Sequence, residues 1–496
     1  MSGLVALPLV VMLASSVAAL AFLRYPKIQE AIALTGMVAL VGAAGWLLAE
    51  TWDGEILVLQ AGNWPAPFGI TLVADLFASI MVMLAAIVGL AATMYSVGTI
   101  DADRERYGYY PLMNILVLGV CGAFLTGDLF NLYVWFEVLL VASFVIMALG
   151  GGRPQMEGAL KYVALNLVSS VLFLSGVGLL YAATGTLNMA DLSQRVAEAE
   201  ADGYMTAVAM LFLTAFGIKA AMFPLFFWLP ASYHTAPAPV AALFAGLLTK
   251  VGVYALIRVF TLIFTTDVGY THTIILWLSV ATMVTGVLGA VSHNDVKRIL
   301  SFHIISQIGY MTLGLALFTP LALAGSIFYI GHHIIVKTNL FFIAGVIRRL
   351  GGSYELVHLG GLARSRPALA ALFFIPAFSL SGIPPLSGFF AKFALVRAAA
   401  EEGEFVALAF VLGVGLLTLL SMTKIFVEAF LKPASGEAPA APASPGFWHY
   451  APIGGLAALT LVLGFAAEPF LSAATEAADQ LMEPERYIAA VLGEPQ

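Results

Sequence analysis

Cysteine is nearly absent from this sequence of 496 residues, in which Cys121 stands alone. The chain therefore cannot form an intrachain disulfide, a CxxC pair or an iron–sulfur cluster held by its own cysteines. It also has no Walker-type glycine-rich loop with a lysine and no GxGxxG after a strand, so we identify no nucleotide site. We expect no cofactor, no metal ion, no nucleic-acid partner, and no ATP-driven step within the chain.

Charge is scarce as well: 10% of the residues are charged and 61% are apolar. A soluble domain has about 25% charged and ~45–50% apolar residues. Many separate apolar runs exceed the ~18–20 residues that a helix needs to cross ~30 Å of hydrocarbon. We therefore predict one all-α, polytopic membrane domain over residues 1–496. The predicted spans are residues 3–23, 29–49, 71–96, 109–127, 129–149, 157–184, 204–228, 237–263, 270–292, 299–317, 320–348, 368–398, 404–431 and 448–470.

The ends of the chain are interpreted from their composition. The first run lacks a basic start and a cleavage site, so we interpret it as a retained span and not as a signal peptide. Residues 433–446 are predicted to be a flexible loop, and the acidic residues of 473–496 indicate a polar surface tail.

Basic residues predict the orientation of the spans. Of the 22 lysines and arginines, thirteen lie in odd-numbered loops, three in even-numbered loops or the tail, and six within spans. Loops rich in Lys and Arg stay in the cytoplasm. We therefore predict that both termini face outward.

The stretch TGDLFNLYVWFEVLLVASFVIMALG, residues 126–150, carries a carboxylate within an apolar span. Glu137 is the ninth residue of the run from Leu129, which places it ~12 Å deep at ~1.5 Å per residue. A carboxylate there costs several kcal/mol unless it is paired, hydrated or protonated, so we predict a functional role. Asp128, near the helix end, is predicted to be an N-cap or an interface residue.

Four lysines are also predicted to lie at membrane depth. Lys219 stands beside Pro224, which interrupts the seventh span because proline donates no backbone hydrogen bond. Lys250 lies in the middle of the eighth span with no carboxylate nearby in sequence. Arg258 and Lys424, nearer helix ends, are interpreted as residues that extend to the interface.

The other two lysines lie on the eleventh and twelfth spans. Lys337 shares a helix face with His333, four residues earlier. Lys392 follows an interruption predicted at Gly382–Pro385, which contains Pro384 and Pro385. A metal site at the adjacent His332 and His333 is disfavoured, because neighbouring helix positions diverge by about 100°.

These residue types fit a chain of proton transfers. Desolvation disfavours the charged form of lysine and of glutamate, so a buried pair can exchange protons near neutral pH, with histidine between them. Lys219 and Lys392 are 173 residues and five spans apart, and Lys250 and Lys424 are 174 residues apart. An odd number of spans inverts a repeat, which is a common plan in transporters.

Four blocks carry a family resemblance: GDLFNLYVWFE (127–137), GIKAAMFPLFFWLPASYHTAPAPVAALFAGLLTKVGVYAL (217–256), NDVKRILSFHIISQIGY (294–310) and LSGIPPLSGFFAKF (380–393). Over roughly residues 70–430 the chain resembles the proton-translocating antiporter-like subunits of complex I and of the multisubunit Mrp Na⁺/H⁺ antiporters. The first block and the short length favour the D-type Mrp subunits.

The resemblance implies fourteen helices with two inverted five-helix repeats, at 109–263 and 270–431, each with a broken helix. It implies that Glu137 is the essential carboxylate, Lys219 its charge partner and Lys250 the connecting lysine. Lys337 sits where family members have Lys or His on the eleventh span. Lys392 resembles the terminal lysine of the broken twelfth span, where several relatives have Glu instead. His333 and His303 match the polar axis between them.

The resemblance also implies other Mrp subunits as partners, H⁺ and Na⁺ as the transported ions, and a bacterial cell membrane as the location. No oxygen-rich Na⁺ site is evident, so we assign only the proton path to this chain. Two alternatives are kept: a proton-pumping membrane subunit of a redox complex, such as complex I or a membrane-bound hydrogenase, and a membrane scaffold that conducts nothing.

Overall fold

The structure is a computed structural model that describes residues 3–198, 203–433 and 444–493. It is almost entirely helical, as the apolar runs predict, because a helix satisfies its own backbone hydrogen bonds within a bilayer. The helices are α1 Gly3–Ala21, α2 Pro26–Thr51, α3 Leu76–Val97, α4 Ala102–Arg106, α5 Tyr109–Leu125, α6 Leu129–Ala148, α7 Arg153–Thr184, α8 Met189–Glu198, α9 Gly203–Ala220, α10 Trp228–Ser232, α11 Ala238–Leu243, α12 Thr249–Leu262, α13 Val268–Ser292, α14 Val296–Leu317, α15 Pro320–Gly351, α16 Leu362–Ser365, α17 Pro367–Ser381, α18 Ser387–Glu401, α19 Phe405–Phe426, α20 Phe447–Phe465, α21 Ala467–Met482 and α22 Pro484–Leu492.

The long helices coincide with the predicted spans. Within the described residues, twelve helices are long and apolar enough to cross a membrane, when the continuous helical run Ala238–Leu262, which contains α11 and α12, is counted as one. Two shorter apolar helices, Tyr109–Leu125 and Pro367–Ser381, lie at the fourth and twelfth predicted spans. The number of helices is thus consistent with fourteen predicted spans.

Both predicted interruptions are present. α9 ends at Ala220 and α10 begins at Trp228, with Pro224 in the intervening segment. α17 ends at Ser381 and α18 begins at Ser387, with Pro384 and Pro385 between them. The chain turns at the two breaks through backbone with positive φ, at Ala221 (φ 64°) and at Gly382 (φ 88°).

The predicted start of the third span is wrong by five residues. Residues Thr71–Ala74 form a strand, β2, which pairs antiparallel with β1, Leu57–Gln60. The helix begins only at Leu76, because the Asp75 side chain accepts a hydrogen bond from the Ala78 amide at 2.8 Å and caps the helix.

The predicted polar tail also differs from the structure. The last span ends at Phe465, and α21 packs one face against α15. Ala473, Ala474, Ala477 and Ala478 are buried on that face. The acidic residues Glu476 and Asp479 of α21 lie outside that buried face, and residues 473–493 are part of the fold, whereas 494–496 lie outside the described residues.

Arg258 does not extend to the interface as predicted. It lies buried and forms a two-point ion pair with Asp75, at 2.6 Å from Nη1 to Oδ2 and 2.9 Å from Nη2 to Oδ1. Its guanidinium also lies 5.4 Å from the ring centre of Tyr487 on α22. The pair therefore joins the eighth span to the start of the third beneath the C-terminal helices.

Loss of this ion pair is expected to destabilise the fold. Asp75→Asn should leave the guanidinium buried without a counter-charge, which costs about 3–5 kcal/mol. We expect a lower melting temperature of the purified subunit assembly, measured by tryptophan fluorescence. Arg397→Gln is the matched control, because Arg397 pairs with Glu401 while more than half exposed. Equal melting temperatures for both variants would contradict a structural role for the buried pair.

Candidate functional site

The first part of the candidate site lies between α6, α7 and α9. Lys219 is 5% exposed, and its Nζ donates to the Asn166 carbonyl at 3.4 Å and to the Ser170 hydroxyl at 3.3 Å. Glu137 interacts with it electrostatically without a direct ion pair in the described chain. The Glu137 Oε1 atom is buried and has no hydrogen-bond partner among the described residues. Glu137 therefore has a carboxylate oxygen in the protein interior without a partner among the described residues.

The second part is Lys250, which is fully buried in the eighth span. The preceding residues, Phe244–Leu248, form a π-helix, in which the i to i+4 hydrogen bonding is interrupted. The Lys250 Nζ donates to the Ala245 carbonyl at 2.6 Å and to the Thr249 hydroxyl at 3.3 Å. Irregular backbone thus supplies the acceptor that solvates the ammonium group in the absence of a carboxylate.

The broken seventh span and the eighth span touch next to these lysines. A Cβ atom at Gly252 would lie 2.6 Å from the Ala220 nitrogen and 2.9 Å from the Lys219 carbonyl carbon. Only glycine permits so close an approach of the two backbones. The contact fixes the backbone positions of Lys219 and Lys250 relative to each other.

The third part lies on α15. Lys337 is fully buried, and its Nζ donates to the Leu300 carbonyl of α14 at 3.0 Å. Both ring nitrogens of His333 are buried without a hydrogen-bond partner among the described residues. His333 interacts electrostatically with Lys250 and with Lys337. His333 is thus close enough to interact with both lysines, and it lies four residues before Lys337 in one uninterrupted helix, the spacing that predicts a shared helix face.

The last part lies at the broken twelfth span. Lys392 donates to the Ser381 carbonyl at 3.1 Å, the last carbonyl of α17, and lies 5.0 Å from the Tyr310 ring centre. His303 interacts electrostatically with both Lys337 and Lys392, and its Nε2 lies 2.5 Å from the Ser421 hydroxyl. The site therefore extends from α6 through the centre of the molecule to α18.

The structure brings the predicted residues together in two groups. Glu137 interacts electrostatically with Lys219. Lys250, Lys337 and Lys392 form the second group, in which His333 and His303 interact with the lysines. Between Lys219 and Lys250 the connection is the packing at Gly252. No direct hydrogen bond joins successive members in the described ranges, so proton transfer between them requires bridging water or side-chain movement.

Some contributors were not predicted from the sequence. The Asn166 and Ala245 carbonyls accept hydrogen bonds from lysines, but no residue type signals a carbonyl acceptor in advance.

His332 faces away from His333, as predicted, and its Nδ1 lies 2.8 Å from the Ser387 hydroxyl at the start of α18. Asp128 caps α6 by accepting from the Asn131 amide at 2.7 Å, which confirms the predicted N-cap. Lys424 donates to the His293 carbonyl at 2.8 Å, so it stabilises the C-terminal end of α13.

Comparison with known proteins identifies relatives over the part of the chain that contains the candidate site. A family model described as "NADH:quinone oxidoreductase/Mrp antiporter, TM" matches residues 126–418. The D-type subunit of the Na⁺/H⁺ antiporter of Alkalihalophilus pseudofirmus is 50% identical to this chain over 494 residues. The alignment covers 100% of both chains.

Solved structures agree. A chain in the Mrp complex from Dietzia sp. DQ12-45-1b matches with a TM-score of 0.91 at 34% identity, over 99% of each chain. A chain of an archaeal membrane-bound sulfane sulfur reductase matches with a TM-score of 0.89 at 27% identity, again over 99% of each. The chain therefore belongs to the NADH:quinone oxidoreductase/Mrp antiporter family of membrane subunits and, within it, to the D-type antiporter subunits.

Proposed function

We propose that this chain is the proton-translocating subunit of a multisubunit Na⁺/H⁺ antiporter in a bacterial membrane. It is a transporter subunit and not an enzyme, and it works in a complex with other membrane subunits. The observation that carries the proposal is the row of buried titratable side chains described above. The 50% identity to a relative named as the D-type subunit of a Na⁺/H⁺ antiporter supports it.

The proton path is proposed to include Glu137, Lys219, Lys250, Lys337 and Lys392. Glu137 has a buried oxygen open to a proton, and its charge favours a protonated Lys219. When Glu137 is neutralised, that support is lost and the lysine proton is free to move on. Lys250, Lys337 and Lys392 have carbonyl acceptors in place of counter-ions, so each can lose its proton without leaving a carboxylate unpaired.

Histidine is proposed to bridge the longer steps. Neutral imidazole can accept a proton at one nitrogen and release one from the other. His333 has both nitrogens unpartnered in the described structure, and His303 has an unpartnered Nδ1. The supporting roles of Pro224, Pro384 and Pro385 are to open the backbone near Lys219 and Lys392.

We also propose that residues 109–263 and 270–431 are inverted repeats. Each contains a broken helix, at residues 221–227 and 382–386. Each also ends in a span with a π-helical segment, Phe244–Leu248 and Val427–Leu431. A broken span and a π-helical segment in each half are supporting evidence for a shared ancestry of the halves.

A second candidate function is a proton-pumping subunit of a redox complex. It is favoured by the match to a chain of a sulfane sulfur reductase, described as an archaeal respiratory membrane complex, although at 27% identity. Both functions use the same residues. The energy source separates them, and that source lies in the partner subunits.

Glu137→Ala and Lys219→Ala are each expected to abolish Na⁺-dependent proton movement, because either change removes one end of the first transfer. The measurement is collapse of a respiration-driven pH gradient on Na⁺ addition to everted vesicles that carry the whole complex, in a host without its own antiporters. Glu157→Gln is the control, an exposed carboxylate bonded to Lys161.

Full activity in either variant at normal protein levels would overturn the relay and favour a passive scaffold. A wild-type complex that is assembled but insensitive to Na⁺ would favour the redox-driven function.

The crossing at Gly252 provides a separate test. Gly252→Ala should lower the transport rate, because the added methyl group forces the seventh and eighth spans apart where Lys219 and Lys250 approach. Gly413→Ala is the matched control in α19, since a Cβ there meets nothing within 4 Å. The measurement is the initial rate per assembled complex in the same vesicles. Equal rates would show that the spacing of these two spans does not limit transfer.

The proposed orientation places both termini outside. The exposed Glu485 of α22 and the exposed Arg364 of α16 would then face opposite sides. Glu485→Cys should react with a membrane-impermeant maleimide in intact cells, and Arg364→Cys only after permeabilisation. The wild-type protein is the control, because its lone Cys121 is buried. The reverse labelling pattern would invert the orientation.

A further inference from the structure

A cavity of about 460 Å³ lies where α3 and α15 end and where α11, α14 and α20 begin. Four of the described residues that line it carry a fixed positive charge, and none of the lining residues is Asp or Glu. The four are Arg104, Lys297, Arg348 and Arg349. This cavity is separate from the residues of the proposed relay.

Arg104 is already satisfied by the protein. It forms an ion pair with Asp101, and its Nε and Nη2 donate to the Leu149 carbonyl at 3.1 Å and to the Gln155 side chain at 3.3 Å. Its charge is therefore largely balanced, and it forms one wall of the cavity.

Lys297 and Arg348 are not balanced in this way. Both lie against one aromatic ring: the Lys297 Nζ is 4.7 Å and the Arg348 Cζ is 5.0 Å from the ring centre of Tyr354. Neither forms an ion pair with a described carboxylate. Two like charges held on one ring repel each other, and an anion between them would relieve that repulsion.

Hydrogen-bond donors remain available at the same place. Lys297 is 2% exposed and donates to the Ala236 carbonyl at 2.5 Å, which uses one of its three N–H groups. The guanidinium of Arg348 contacts the Tyr354 ring and has no hydrogen bond to another described residue. Its planar fork matches the oxygens of a phosphate group.

Arg349 adds positive charge to the far wall. It donates to the Gly98 carbonyl at 3.4 Å and lies 3.2 Å from the Nε2 of His449. Because arginine can only donate, Nε2 must accept, and His449 is then neutral with its proton on Nδ1. Lys297 and Arg348 therefore supply positive charge to the cavity without a charged histidine.

We propose that this cavity binds a phosphate group, carried either by an anionic phospholipid or by free phosphate, with Lys297 and Arg348 as its principal donors. It lies on the side where the basic loops gather, the predicted cytoplasmic side. Basic pockets between membrane helices on that side bind anionic head groups. The proposal does not depend on the proton relay.

The test uses the purified whole complex, as wild type, Arg348→Gln and Arg364→Gln. Arg364 is the control, an exposed arginine of α16 that does not line the cavity. Native mass spectrometry measures retained phosphatidylglycerol after reconstitution in phosphatidylethanolamine vesicles with and without that lipid. Equilibrium dialysis of delipidated complex measures radiolabelled inorganic phosphate.

Arg348→Gln should weaken binding about fivefold, the effect of one basic residue near an anionic head group, whereas Arg364→Gln should not. Retained lipid without phosphate binding assigns the site to a head group, and phosphate binding to the delipidated complex assigns it to the free anion. Equal binding of both probes by wild type and Arg348→Gln would overturn the proposal, as would no binding by the wild type.

Discussion

The burial of positive charge in a medium that cannot solvate it governs this structure. Each membrane-buried lysine solves the problem in the same way, by donating its ammonium group to a main-chain carbonyl. The acceptors of Lys219, Lys250, Lys337 and Lys392 are the carbonyls of Asn166, Ala245, Leu300 and Ser381. Within the described ranges none of these lysines forms an ion pair with a carboxylate.

The kind of hydrogen-bond partner distinguishes the lysines of the proposed relay from Arg258, which stabilises the fold. Arg258, which keeps its proton, is held to Asp75 by an ion pair and a hydrogen bond and joins three parts of the chain. A lysine on a carbonyl is different, because the neutral amine can still donate to the same oxygen after its proton has left. The buried ion pair therefore serves stability, whereas loss of a proton from a carbonyl-bound lysine leaves no carboxylate unpaired, which is what the proposed relay requires.

Two of the four acceptor carbonyls belong to irregular helices. Asn166 and Leu300 lie within the regular helices α7 and α14, whereas the other two acceptors lie where a helix is disturbed. Ala245 lies in a π-helix, and Ser381 is the last residue before a break. The two interruptions could be predicted from Pro224, Pro384 and Pro385, since proline cannot continue the backbone pattern.

The π-helix could not be predicted, because no residue of Phe244–Leu248 signals it. Nor could the partner of Arg258, since Asp75 lies 183 residues away. The packing of the tail was accessible in principle: Ala473, Ala477 and their neighbours repeat at helical spacing, but the acidic composition obscured that pattern. Features that depend on one residue type, such as the breaks at proline, can therefore be predicted from the sequence. The ion pair of Arg258 cannot, because it depends on a contact between residues far apart in the chain.

The same geometry indicates which parts must move if protons pass. The helices cross at close contacts: a Cβ at Gly246 would overlap the Thr338 hydroxyl, and one at Gly252 would lie 2.6 Å from the Ala220 nitrogen. Successive relay residues nevertheless lack direct hydrogen bonds in the described structure. Close-packed backbones with separated side chains leave two means of transfer, the flexible arms of the lysines and water admitted between them. Both act without separating the helices, so a rigid frame and a mobile proton are compatible in this fold.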